Sequence, residues 1–178
     1  MKIALFVVSA LMLFPAASVT HAQSAPEGIW EGYDGEWQHV TKQVIELANA
    51  IPADKYSWRP APGVRSVSEV FMHIAVSNYW LLAQTGAIAY PKALAPDDID
   101  VKITSKAEVI DWLTKSFEAV KTARAKESSA ALAKKVHIAD REAPRDGIYL
   151  RILVHANEHM GQLVAYARMN GIVPPWSK

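Results

Sequence analysis

His155 and His159 stand four residues apart, and theirs is the spacing in this sequence that most directly specifies chemistry. Inside a helix, side chains at i and i+4 project from one face about one turn apart, so both imidazoles can reach a single ion. Two nitrogens leave a divalent ion short of protein ligands. His73 is the candidate for the third, lying beside Val70 and Ile74 with Ser77 a turn later. A two-plus-one arrangement across facing helices is how helical bundles assemble metal sites. Each of these histidines also has an ordinary reading, as a core-edge residue satisfied by hydrogen bonds. Of the other three, His39 falls with Glu36, Gln43 and Glu46 on a polar helix face, His137 lies in an irregular polar stretch, and His21 is in the N-terminal segment. None of those three is counted as a ligand.

Residues 155–159, His-Ala-Asn-Glu-His, also match the H-x-x-E-H pattern of inverted zincins, which takes its third ligand from an acidic residue downstream. No Asp or Glu follows His159, so that reading lacks its third ligand. Glu158, or Gln162 one turn beyond His159, is then expected either to orient a water or to fix an imidazole tautomer. Three neutral imidazoles leave a divalent charge uncompensated, which would make a bound water more acidic. The cofactor expected is one divalent ion, Zn or Ni first, with Fe and Cu open because imidazole suits them all. The chain has no Cys, which removes thiolate ligands, a thiolate nucleophile and any disulfide framework.

The elements that must bring these residues together can be read from apolar spacing. Trp30, Tyr33, Trp37, Val40, Val44, Leu47 and Ile51 alternate at three and four residues, predicting a first helix over about 28–50 with Trp30, Trp37 and Val44 facing the core. Pro52 ends it, and the Pro- and Gly-rich run from Tyr56 to Gly63 predicts a loop anchored by Trp58. Ser66-Val-Ser-Glu69 has capping-box spacing and opens a second helix that runs towards Thr85, with Gly86 as its stop. Residues 87–104 read as a long connection without an element of their own. A second capping box, Ser105-Lys-Ala-Glu108, is predicted to open a third helix through Val109, Trp112, Leu113, Phe117 and Val120. The fourth helix begins near Asp146 and ends at Asn170-Gly171. On it, Ile148, Ile152, His155, His159, Gln162 and Tyr166 form one stripe, with Arg151 and Glu158 stacked along its polar shoulder. Four helices, no convincing strand and no repeat predict an all-α four-helix bundle.

The 178 residues suffice for one domain with a sizeable core. Lys and Arg number 19 against 18 Asp and Glu, scattered rather than clustered, so no nucleic-acid partner is expected. Met1-Lys2, an uncharged run from Ile3 to Phe14, and Thr20-His21-Ala22 have the order of a signal peptide cleaved after Ala22. The mature domain is thus expected to be 23–178, periplasmic or secreted, without stable membrane anchoring after cleavage.

One family pattern unites these fragments. Trp58-Arg-Pro-Ala-Pro-Gly-Val-Arg-Ser66, then His73-Ile74, then His155-x-x-Glu-His159-x-Gly-Gln162 with Tyr166-x-Arg168 and Gly171-Ile-Val-Pro-Pro175, together resemble the DinB-like superfamily of metal-dependent four-helix proteins. The resemblance spans about 28–175. It implies that His73, His155 and His159 are the metal ligands, with water-filled positions left over, and that a long crossover joins helices two and three. It also implies a small-molecule substrate, unidentified here, since activities in the family include thiol transfer and the isomerisation or hydrolysis of thiol conjugates. An exported chain departs from chemistry that uses cytoplasmic thiols. A homodimer stays open, as does a non-catalytic role in which the ion ties helices two and four together.

Overall fold

The computed structural model describes residues 32–177. The segment 1–22, the expected helix start at 28 and Trp30 lie outside the described residues. Among the described residues, six helices and one hairpin follow in chain order: α1 (Gly32–Ala50), α2 (Val67–Gln84), α3 (Ile99–Lys102), α4 (Lys106–Arg124), α5 (Ser129–Leu132), β1 (Lys135–Ile138), β2 (Arg141–Pro144) and α6 (Arg145–Met169). Helices α1, α2, α4 and α6 are the long ones. Helix α2 packs on α4 and α6, and α1 packs on the same two helices. Among the described residues, no helix is long and apolar enough to cross a membrane.

The three-four alternation on α1 does what its spacing requires. Trp37, Val40, Val44, Leu47 and, just past the helix, Ile51 are all buried. Trp37 meets Phe117 of α4 edge to face, with ring centroids 5.5 Å apart. The loop after Pro52 folds back through Tyr56, which is buried and donates its hydroxyl to the Ala48 carbonyl at 2.8 Å. The loop backbone also accepts the first amides of α2: Val67 N–H donates to Trp58 O at 3.0 Å and Ser68 N–H to Tyr56 O at 2.8 Å.

The capping box at Ser66 forms as its spacing predicts. Glu69 N–H donates to the Ser66 hydroxyl and Ser66 N–H to the Glu69 carboxylate, so two otherwise free amides are satisfied at a buried helix start. Arg59 pairs with the same carboxylate, tying the loop to α2. The corresponding box at Ser105 does not form. Ser105 caps α4 by position only and accepts no side-chain hydrogen bond, because Ser105 and Glu108 are both exposed and water can serve those amides. The start of α4 is instead held by Lys106, whose Nζ donates to the carbonyls of Asn49 and Ile51 at 2.7 Å each.

Two stretches expected to be irregular hold short elements. The connection after α2 contains a 3-10 turn at Lys92–Leu94 and the single turn of α3. Buried Leu94 and Ile103 pin it to the rest of the fold. Before α6, β1 and β2 pair antiparallel from Lys135 opposite Pro144 to Ile138 opposite Arg141, which corrects the expectation of no strand. The hairpin turns at Ala139, whose φ of 50° is the left-handed conformation such a turn needs. Ile138 is its one buried side chain, so alternation of apolar and polar residues is too brief to register in the sequence. His137 therefore sits on a strand, exposed.

Candidate metal centre

Three side chains from two helices converge where α2 packs on α6. His73 comes from the middle of α2, and His155 and His159 from successive turns of α6. Their ring centroids lie 5.0 Å apart for His73 and His155, 4.8 Å for His73 and His159, and 4.5 Å for His155 and His159. One ligand-capable nitrogen from each lies within 4.8 Å of the other two, so the group could hold a metal ion. His39, by contrast, is exposed on α1 and His137 on β1, and neither joins the group.

The hydrogen bonds around the three rings set which nitrogens carry protons. Gln162 donates its Nε2 to the Tyr166 hydroxyl at 2.8 Å, which leaves Oε1 to accept from His159 Nδ1 at 2.8 Å. The proton of His159 is then on Nδ1 and its lone pair on Nε2, which lies 3.2 Å from His155 Nε2. His155 Nδ1 is buried with no hydrogen-bond partner among the described residues. Burial above all, then the neighbouring charges, lowers both His73 and His155 to about 4, so at neutral pH each offers an unprotonated nitrogen. For His155 the second cause is the nearby His159 and for His73 it is Arg65. Three close imidazoles, two of them kept unprotonated by burial, are a donor set that suits a divalent cation.

The supports of His159 extend along α6 and into the loop. Tyr166, which receives the Gln162 amide, is buried and meets Trp58 edge to face at 5.4 Å. Trp58, Tyr166, Gln162 and His159 thus form one chain of contacts that sets a ring orientation. The Gln162 part of that chain was legible from i+3 spacing, whereas the edge-to-face contact of Trp58 with Tyr166 joins residues too far apart in sequence to be read there. Glu158 lies outside it. Both its oxygens accept from Arg151, at 3.0 Å each, on the exposed side of α6, and that guanidinium is the main reason its carboxyl is held below the usual range. Arg65 and Asp100, singled out by nothing in the spacing, form an ion pair of 3.7 Å whose charges both act on His73.

The depressed histidines predict a pH dependence for the metal-free protein. In the unfolded chain His73 and His155 take up protons near their ordinary 6.5, but in the folded state only near 4. Between those values the unfolded state binds more protons, so stability falls as pH is lowered through 6.5 and levels off below 4. The expected loss is about 2–5 kcal/mol in total. Urea midpoints measured at pH steps from 7.5 to 4 check it, and a flat profile over that window would refute neutral, buried imidazoles.

The comparisons agree with this architecture. The model of the DinB superfamily matches residues 36–163. A DinB-like protein from Bacillus cereus is similar in structure, with a TM-score of 0.67 at 21% identity over 82% of this chain and 95% of its own. A second, from Bacillus subtilis, has a TM-score of 0.63 at 19% identity over 82% of this chain and 97% of its own. No curated protein matches.

Proposed function

The chain belongs to the DinB superfamily, and on that premise we propose that it is an exported metal-dependent enzyme of the hydrolase or thiol-transferase type, built as a four-helix bundle of α1, α2, α4 and α6 with a long crossover between α2 and α4. His73, His155 and His159 hold one divalent ion, Zn or Ni before Fe or Cu. The observation that carries this reading is the convergence of three imidazoles whose ligand nitrogens lie within 4.8 Å of one another. When bound, such an ion supplies Lewis acidity that activates a water or a substrate thiol.

The chain's own groups position the rest. Gln162 accepts from His159 Nδ1, which leaves Nε2 to face the site, and its own amide donates to the Tyr166 hydroxyl. Glu158, held by Arg151, is a salt-bridged neighbour whose carboxylate must leave Arg151 before it takes a proton from substrate or water. Gln162 is the stronger candidate for a direct part in the site. The test is elemental analysis of protein from its native compartment, followed by a panel of thioesters, esters and thiol conjugates on that same preparation. Turnover lost on chelation and restored by one metal supports the enzyme. Gln162→Ala is expected to weaken metal affinity by about 10–100-fold while leaving the fold intact.

A second reading has its own observation. His155 is only 8% exposed, and α2 and α6 pack directly against each other around it. A non-catalytic ion that ties these helices together would sit there equally well. Full metal occupancy with no exchangeable water and no turnover across the panel would favour it.

Export is part of the proposal and rests on residues 1–22. N-terminal sequencing of protein from the periplasm or medium is expected to begin near Gln23. Recovery of an integral membrane form that still carries Met1 would overturn it. The bundle is proposed to act on a small molecule, without nucleic acid, as a monomer or a homodimer.

A further inference from the structure

A groove of about 450 Å³ meets the three-histidine group at His73. One wall is a single face of α2, formed by His73, Val76, Ser77 and Trp80. The opposite wall is the connection after α2, through Tyr90, Leu94 and Ile99. The volume falls in the range of small-ligand pockets, roughly 300–1,000 Å³.

Its lining mixes apolar and charged groups. Trp80 is 44% exposed and, among the described residues, is the one tryptophan in the set of exposed large apolar side chains. Tyr90 has its hydroxyl committed to the Leu94 carbonyl at 3.1 Å, so its ring serves the groove as an apolar surface. Arg65 and Asp100 offset each other across 3.7 Å. Among the described lining residues, Asp97 then leaves a net negative charge of one. A divalent ion on three neutral imidazoles would put two positive charges at the His73 end. One electron-rich head group matches that end, whereas a polyanion would meet Asp97.

We propose that this groove is the subsite for the body of the substrate, and that it takes a small molecule with one electron-rich head group at the His73 end and a flat aryl body lying against Trp80. The proposal rests on the three-histidine metal reading above. It places the exposed indole as a specificity-determining surface, and it explains why the connection after α2 is pinned by buried Leu94 and Ile103 instead of running free over the surface.

Two probes separate the body from the head. Acetohydroxamate and phenylacetohydroxamate share a metal-binding group and differ by a benzyl body. Isothermal titration of the zinc-loaded protein is expected to give phenylacetohydroxamate about tenfold tighter binding, from the added apolar burial. Trp80→Ala is expected to bring the two probes within about twofold of each other without weakening acetohydroxamate, Trp80→Phe to restore most of the difference, and Leu150→Ala, exposed on α6, to change neither. Zinc retained with equal binding of both probes, or a phenyl advantage that survives Trp80→Ala, would overturn the groove and leave the metal centre standing. No zinc uptake and no binding of either probe would overturn both.

Discussion

Replacing any one of His73, His155 or His159 by Ala is expected to weaken binding of the divalent ion by about 10²–10³-fold. Structural zinc sites with four ligands bind with about 10–16 kcal/mol, so each ligand accounts for roughly 2.5–4 kcal/mol. The three nitrogens lie close enough to share one ion, so no substitution among them should be silent. The melting temperature at saturating metal should fall with the affinity, because an ion that binds only the folded state stabilises it by mass action. His39→Ala is the matched control, since His39 is exposed on α1 and remote from the group. Equilibrium dialysis with elemental analysis reads the result. Stoichiometric metal at unchanged affinity in His73→Ala, or its loss in His39→Ala, would refute the site.

A comparable effect on folding is expected from Val44→Asp. Val44 is fully buried on α1, between Val40 and Leu47 on the stripe that faces the core. A carboxylate there has no described cation beside it, so it must either stay charged and desolvated or take up a proton at a cost. The loss is expected to be about 3–5 kcal/mol, a large share of the roughly 5–15 kcal/mol that holds a domain folded. Circular dichroism during urea or thermal unfolding measures it. An unchanged midpoint would mean that α1 does not present this face to the core. The exposed neighbour Lys42→Asp, on the same helix, should shift the midpoint little.

How much of this was legible in the sequence differs by the range of the interaction. Apolar periodicity and helix-end signals located the four long helices because both are local patterns, and burial of Trp37, Val40, Val44 and Leu47 follows from the stripe on α1 directly. The cap at Ser66 was legible because both its partners lie three residues apart. The same pattern at Ser105 misled, since spacing does not report whether the helix end is buried enough to need a side-chain partner. The hairpin at 135–144 escaped because its strands are four residues each and bury one side chain between them.

The site divides along the same line. By itself the sequence determined that His155 and His159 share a helix face, that Gln162 and Tyr166 continue it, and that no Cys can contribute a ligand, because helical geometry and composition are set within one segment. Only the tertiary structure decided that His73 reaches them across the α2 and α6 contact, that Glu158 is taken up by Arg151, and that Trp80 and the connection after α2 enclose a groove at His73. Those juxtapositions depend on how helices rotate and slide against each other as their cores pack, and the sum of many side-chain contacts sets that rotation.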